Sequence, residues 1–560
     1  MKIKIKNKQD IDIPENLLKE VDDNKFLAKL LMNRGLKTVE EIRNFLHPSA
    51  YNPTKAEEFP NMNKVVEKIL ENINNDKKIC IYGDYDVDGI TSTSMLTLFL
   101  SKLGAKLCYH IPDRFEEGYG LNKKVIKNMS DEVDLILSCD CGISNYEEVV
   151  LAKSLGMDVI ITDHHDIPEK LPPTDYILSP KLLDVDHRAH NLPGAGMAYF
   201  LVKGIINYFI DNKENKNKKN DHSEIKDNNN QRKYNNIKLE DNSLKSENYL
   251  DLLALAIVAD VVALKGENRY LLQKALTHLI DSKRVGLKEL FEQIGIDKDT
   301  FTEEDIAFRL APVINAAGRM ESANIAVELL LTDNVKKAKK IANKMIVINN
   351  RRKELQNKII EEAENKIDKN FDTNKELNKP IIFYEADWHE GILGIAAGRL
   401  AEDYNVPVLL MTLKDDEEII TASARSIPAI HINNILKNLS NELLKYGGHA
   451  GAAGFSLKRD NYNIFKKKLE AIIEKKLYNL DREKIIEVDQ KLNLDNIDLS
   501  SYYSLRKLAP FGEKNPKPLF LSEDCNIIHS RSFSDGKHMR LTVEKNKVKQ
   551  NGVWWWGGDK

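Results

Sequence analysis

Between residues 78 and 180, short apolar runs alternate with longer stretches in which apolar positions recur every three to four residues. The runs at 78–82, 106–111, 134–139 and 157–161 predict strands, and the stretches at 90–102, 120–129, 145–154 and 194–209 predict helices. This alternation predicts βαβ units around a parallel sheet. Ligands of such sheets collect beyond the C-terminal ends of the strands, so the residues that follow each run carry the most information.

The flanking pattern divides the remaining chain. Residues 1–60 predict a small helical segment, with a helix at 26–34 and a capping box, Thr38 with Glu41, ahead of Ile42 and Phe45. An α/β domain is expected over 61–275, opened by an amphipathic helix at 64–74. Residues 211–245 have almost no apolar content and no period, which predicts a disordered surface insertion. Helices follow at 249–264 and 269–280, and then at 286–293 and 303–310 within a helical region, 276–375. There, 322–371 reads as helix with a break near 331–334. Its second part, 335–368, would reach on the order of 50 Å at about 1.5 Å per residue, and a helix so long and polar is expected to bridge two domains. A second α/β domain, 376–475, is predicted from strands at 381–384, 408–412 and 419–423, helices at 391–404, 429–437 and 458–475, and a glycine-rich stretch from Tyr446 to Gly454. Short strand-like runs at 484–488, 518–521, 525–532, 538–544 and 551–556 predict a small β-barrel over 476–560.

Composition narrows the class without choosing a function. The chain has 560 residues, enough for several cores, and 42% of them are hydrophobic. Its 83 basic and 86 acidic residues leave a net charge of −3, which does not exclude a local basic cleft for nucleic acid. The five cysteines, Cys80, Cys108, Cys139, Cys141 and Cys525, form no disulfide framework and are expected as thiols in a reducing, cytoplasmic setting. The first residues contain no apolar core of a signal peptide, and there is no apolar run of membrane-spanning length.

Candidate chemistry sits where the sheet argument points. Asp84, Asp86 and Asp88 follow the first run, Asp140 the third, and Asp163, His164 and His165 the fourth; Asp260 closes the apolar stretch from Leu252 to Ala259. Taken singly, Asp84 or Asp163 is as readily a turn-capping residue as a ligand. Together the set predicts a cluster holding two divalent cations, which needs several carboxylates and some imidazole. Asp86, Asp88, Asp140, His164 and Asp260 are the candidate ligands, with Asp140 able to bridge. Mixed oxygen and nitrogen donors suit Mn²⁺ or Mg²⁺ and leave Zn²⁺ open. The expected chemistry is hydrolysis at phosphorus, with His165 binding the phosphate or protonating the leaving oxygen.

The ordered motifs resemble the DHH phosphoesterase superfamily: Gly83–Gly89 (GDYDVDG), Ser138–Gly142 (SCDCG), Asp163–His165 (DHH) and Ala259–Asp260. The likeness narrows to the bacterial RecJ branch of single-stranded-DNA exonucleases. It does so through Arg114–Leu121 (RFEEGYGL), Gly266–Arg269 (GENR), Arg309–Arg319 (RLAPVINAAGR), Trp388–Arg399 (WHEGILGIAAGR), Ser423–Ser426 (SARS), Gly447–Gly451 (GGHAG) and Pro510–Pro516 (PFGEKNP). The resemblance implies an α/β fold: a DHH catalytic domain with a parallel sheet, a long connecting helix, a DHHA1-type domain and a C-terminal OB-fold β-barrel. A cleft between the lobes would admit single strands. The implied activity is metal-dependent 5′→3′ hydrolysis of single-stranded DNA to 5′-mononucleotides, using two Mn²⁺ or Mg²⁺ ions, in DNA repair and recombination. The implied partners are a single-strand-binding protein and a RecQ-type helicase, and the implied state is a monomer. Asp84, Asp86, Asp88, Asp140, His164, His165 and Asp260 become the catalytic set. Arg114, Arg309, Asn315 and Arg319 would hold phosphates or orient the nucleotide. His389, Ser423, Arg425, Gly447, Gly448 and His449 would grip the strand or its 5′ phosphate, which would set the polarity.

Three departures accompany the resemblance. Many DHH proteins carry histidine where this chain has Tyr82, which would leave one cation with fewer nitrogen ligands. Alanines replace common glycines in Thr421–Ser426. The chain also stops soon after three tryptophans, Trp554 to Trp556, which leaves open a barrel without its closing strand and makes the tryptophans a stacking platform or an aggregation liability. Two other readings fit the catalytic motifs alone. One is a phosphatase for cyclic dinucleotides or very short RNA, which would usually be smaller and lack the barrel. The other is a DNA-binding scaffold that kept the fold without the chemistry, against which the retained acids and histidines argue.

Overall fold

A computed structural model describes residues 2–6, 12–219, 244–371, 377–414, 418–480 and 485–558. The chain divides into two compact units. The first comprises Met1–Phe291, Gly295–Ala311 and Lys484–Lys560, and the second Glu292–Ile294 and Pro312–Glu483.

The first unit is built on a five-stranded, wholly parallel sheet. Its strands are Lys78–Tyr82, Lys106–His110, Leu135–Cys139, Asp158–Thr162 and Ile177–Leu178. In spatial order the second strand lies at one edge, followed by the first, third, fourth and fifth. Leu135–Cys139 is buried throughout, as expected of a strand with helices on both faces. Val87–Lys102, Gly194–Lys219 and Leu250–Ala259 pack together. The first and last of these are buried nearly all round, the mark of central helices. The capping box of Thr38 and Glu41 forms as predicted.

Where the structure departs from the sequence pattern, the causes are local. The Gly194–Lys219 helix runs into the segment expected as a disordered insertion, because extending a nucleated helix costs little even through polar residues. Residues 220–243 of that segment lie outside the described residues. The helix expected over 249–264 stops at Ala259, and a turn follows at Asp260. A helix at Ala311–Met320 was not anticipated; it continues from a π-helical turn at Ile306–Leu310, just ahead of Pro312, the kind of local adjustment that lets a helix tolerate a residue without an N–H.

The expected barrel is represented by a three-stranded antiparallel sheet, Asn526–Phe533, His538–Lys545 and Val548–Trp554. Gln490–Lys491 and Phe520–Leu521 form a separate parallel pair. Ile485–Val488, read as a barrel strand, instead pairs in parallel with Lys2–Ile5. Both 485–558 and the N-terminal helices belong to the first unit. Trp555 and Trp556 are exposed, as expected.

The second unit contains a sheet in the order Lys445–Gly448, Ala452–Lys458, Ile419–Arg425, Val408–Leu413, Ile381–Tyr384. Only the last pairing is parallel. The glycine-rich stretch supplies the outer hairpin rather than a free loop. The long helix, Val335–Asn370, belongs wholly to this unit. Its Ile359, Ala363 and Ile367 enter the same core as Ile392, Leu410 and Phe465, so its C-terminal part packs as a core helix. No helix among the described residues is long and apolar enough to cross a membrane.

Two of the quoted motifs prove to be fasteners of the first unit. Arg269 of GENR donates to the carbonyls of Phe45, Leu508, Ala509 and Pro510 and lies over the Phe45 ring. Asn515 of PFGEKNP donates to Leu508 and Pro510 and accepts from Arg34. Burial draws the Arg269 guanidinium down to about 9, and it keeps its charge near neutrality because carbonyls surround it. We expect Arg269→Met to destabilise the protein by roughly 3 kcal/mol, since it strands several buried carbonyls. Denaturant melts of both proteins measure this, and an unchanged midpoint contradicts it.

Candidate metal centre

The Lys78–Tyr82 strand delivers Asp84, Asp86 and Asp88 in a tight turn into the Val87–Lys102 helix. Asp86 caps that helix, its Oδ1 accepting from the N–H groups of Asp88 (2.9 Å) and Gly89 (3.1 Å). Gly89 is required by proximity, since a Cβ there would lie 2.5 Å from the Asp84 backbone. Asp88 points the other way. Its two oxygens accept from Gly194 N (2.6 Å) and Ala195 N (2.7 Å), the first amides of the Gly194–Lys219 helix, where backbone N–H groups and the helix dipole favour an anion.

Asp140 follows the Leu135–Cys139 strand with φ +61°, a left-handed backbone. Its carboxylate lies against Gly194, where a Cβ would come within 2.7 Å of the Asp140 Cβ. Asp163 follows the Asp158–Thr162 strand and acts as a clamp. It accepts from Ile143 N (2.9 Å), His164 N (2.7 Å), His165 N (3.1 Å) and His165 Nδ1 (2.8 Å). His164 Nε2 is 3.1 Å from Asp140 Oδ1 and 3.8 Å from Asp88 Oδ2, and its Nδ1 is 3.7 Å from Asp260 Oδ2. Tyr119 OH lies 3.0 Å from His165 Nδ1 and donates to the Asp140 carbonyl (3.2 Å).

Three overlapping groups have donor atoms within 4.8 Å of one another: Asp84, Asp86 and Asp140; Asp88, His164 and Asp260; and Asp140, His164 and His165. Asp84 Oδ1 is buried without a hydrogen-bond partner, and Asp140 Oδ1 has none of hydrogen-bond geometry despite the nearby His164. Buried oxygens in that state are costly unless something fills the gap. A hard divalent cation fits, because the donors are carboxylates with one or two imidazoles, as Mn²⁺ and Mg²⁺ accept.

The electrostatics carry the same mark. Burial first, and repulsion from neighbouring carboxylates second, push Asp84, Asp88 and Asp140 well above the usual range. The same causes raise Asp260 to about 7. Burial and the neighbouring His165 lower His164 to about 4, leaving it neutral and able to ligate. Burial opposes a charge on His165, but its hydrogen bond to Asp163 and the attraction of Asp163, Asp260 and Asp84 together outweigh that and lift it to about 9. The cluster thus combines mutually repelling acids, a neutral imidazole and a cationic one, the strong perturbation expected of a functional site.

The structure therefore brings together all seven residues of the predicted catalytic set. Tyr82 supplies no ligand: its side chain is buried in the core with Ile126 and Val149, packs at a tilt against His110 and donates to Gly120 O (3.2 Å). Asp84, not counted among the ligands, stands in a candidate ligand group. Sequence reading did not single out Tyr119 or the Gly194–Ala195 amides, although a glycine-rich start to an apolar helix was there to be seen.

The predicted phosphate-binding residues are distributed over both units. In the first, Arg114 lies over the Tyr85 ring at 4.3 Å and acts electrostatically on Asp84. Arg309 is engaged with Asp305 (2.8 Å) and Gly295 O (2.7 Å). In the second, Asn315 and Arg319 are half-buried on the Ala311–Met320 helix. Arg425 donates to Ser423 Oγ (3.2 Å) beside Gly394, where a Cβ would approach the guanidinium within 2.8 Å. His389 caps the Glu390–Tyr404 helix by accepting from Gly391 N (3.2 Å). Gly447, Gly448 and His449 are exposed at the outer hairpin.

Comparison with known proteins gives a single answer. Family models match in order: DHH family, N-terminal domain, at 78–257; DHHA1 domain at 378–475; and RecJ OB domain at 488–560. The single-stranded-DNA-specific exonuclease RecJ of Haemophilus influenzae is 31% identical over 542 residues, covering 95% of this chain and 88% of its own length. The chain belongs to the RecJ family. The Bacillus subtilis RecJ is also 31% identical, and this chain spans 63% of that relative's length. RecJ of Thermus thermophilus in complex with Mn²⁺ superposes with a TM-score of 0.77 at 26% identity, covering 98% of this chain and 74% of that one. Its Mg²⁺ complex gives 0.72. RecJ proteins thus hold both cations that the donor set here fits.

A pH dependence follows. The folded pKa of Asp260, about 7, exceeds the value of about 4 expected unfolded, so the cation-free protein takes up protons on folding between those values. This group's contribution to stability is present at low pH and is lost as pH rises towards 7. A cation displaces the proton. Titration calorimetry should therefore show Mn²⁺ binding more tightly from about pH 6 to about pH 8, with proton release. Affinity that is flat over this range contradicts the assignment.

Proposed function

We propose that this protein hydrolyses single-stranded DNA from the 5′ end, releasing 5′-mononucleotides, with a pair of Mn²⁺ or Mg²⁺ ions held by Asp84, Asp86, Asp88, Asp140, His164 and Asp260. The observation that carries the reading is the buried cluster itself, whose unpartnered oxygens and neutral imidazole have a purpose only around cations. Bound there, the cations would supply charge neutralisation and a water of lowered pKa.

The chain's own residues do the rest. His165, held cationic by Asp163 and part-exposed, donates to the phosphate or to the departing oxygen. Arg114 offsets phosphate charge beside Asp84. In the second unit, Arg425, Ser423, His389 and the Gly447–His449 turn bind the 5′ phosphate or the adjoining strand, and Asn315 and Arg319 hold the nucleotide. An end grip of this kind would give both polarity and single-nucleotide steps. Arg309 keeps a phosphate role only by sharing or leaving its bond to Asp305. The exposed tryptophans of the C-terminal sheet suit base stacking. Work in DNA repair and recombination, as a cytoplasmic monomer alongside a single-strand-binding protein and a RecQ-type helicase, completes the reading.

Oligonucleotides blocked at one end test the polarity. We expect a 5′ block to abolish release of mononucleotides and a 3′ block to leave it intact; the opposite pattern contradicts the proposal. Asp140→Asn should lower kcat by about 10³-fold or more while single-strand binding, measured by fluorescence anisotropy, largely survives. Undiminished hydrolysis would show the centre to be misassigned.

A further inference from the structure

Asp260 ends the Leu250–Ala259 helix, and the next residue, Val261, has φ +53°. This is the left-handed position just past a helix C-terminus, commonly occupied by glycine or asparagine because a Cβ crowds the backbone there. A β-branched side chain suits it least. The core does not ask for valine, since Val261 is 64% exposed. The local bonds do not ask for it either. Val261 N donates to Val258 O (3.3 Å), as any residue except proline could, and the following turn is held by Leu264 N on Glu513 O (2.9 Å) and Asn268 Nδ2 on Ala263 O (3.2 Å).

A strained backbone thus carries an exposed apolar side chain directly beside Asp260, within the candidate ligand group of Asp88 and His164. Strain of this kind collects at functional sites, where the side chain has a ligand to meet. The acids and histidines of the centre that Asp260 joins can grip only cations and phosphate, and a nucleotide held by phosphate alone can still rotate. We infer that Val261 is a positioning residue for substrate, packing its methyl groups against the apolar face, sugar or base, of the nucleotide whose phosphate is held at the acid cluster. Such a wall restricts the tilt of the bound nucleotide. The inference rests on the nuclease reading of the centre.

Full-length Val261→Gly and Val261→Ile test it against the wild type. Glycine relieves the left-handed strain, so its melting temperature should rise by roughly 2 °C, with Mn²⁺ affinity unchanged. Its KM for single-stranded DNA should rise about tenfold while kcat stays within about twofold, and Val261→Ile should keep the wild-type KM. An active Val261→Gly enzyme with unchanged KM overturns this inference alone. A lowered melting temperature or lost Mn²⁺ binding overturns it as well, by making the valine a structural element. A wild-type protein that leaves single-stranded DNA intact overturns the nuclease reading, and this inference falls with it.

Discussion

Five carboxylates crowded with two imidazoles into one largely buried site repel one another and lose their hydration, and the elements around them are arranged to meet that cost. Five carboxylates cannot all be ionised there without a compensating charge. Part of the compensation is built into the fold as hydrogen bonds. The first amides of the Gly194–Lys219 helix hold Asp88, the amides of the Val87–Lys102 helix hold Asp86, and Asp163 takes four hydrogen bonds so that His164 and His165 are fixed. The remaining free oxygens, on Asp84 and Asp140, are what divalent cations would neutralise on the proposed reading.

This division of labour explains the local sequence. Glycines 89 and 194 stand where a Cβ would strike Asp84 or Asp140, so each allows an acid to approach its neighbours. Asp140 takes a left-handed backbone at a strand end, a strain that persists only because the surrounding sheet and helix hold it. The same unit is closed by polar fasteners far from the chemistry. Buried Glu267 accepts from Thr54 N and Oγ1, and Arg269 and Asn515 tie the segment around Leu508–Pro510 to the helices before it. Rigid supports of this sort let a cluster of like charges keep its geometry.

Much of this was legible from residue pattern. Alternating apolar runs and periodic stretches located the parallel sheet, and the rule that ligands gather at strand ends singled out the acids before any contact was known. What was not legible has physical reasons. The amide cradle around Asp88 comes from residues more than 100 positions away, and the left-handed turn at Asp140 is held by packing against that same helix start; no local period encodes either. Tyr82 read as a vacancy in the ligand set because many DHH proteins carry histidine there. Side chains alternate along a strand, however, and its own face is the core. The long helix read as a bridge because most of its surface is polar, yet Ile359, Ala363 and Ile367 are enough to seat it on a sheet. In the C-terminal region, strand runs were found correctly but their partners were not, since pairing with Lys2–Ile5 spans nearly the whole chain.

The central claim is that the acids and His164 form one composite cation site. The most direct measurement is an anomalous-difference map at the manganese edge from crystals grown with Mn²⁺. Peaks are expected within ligand distance of Asp84, Asp86 and Asp140 on one side and of Asp88, His164 and Asp260 on the other. Density placed elsewhere, or none among these residues at saturating Mn²⁺, would contradict it.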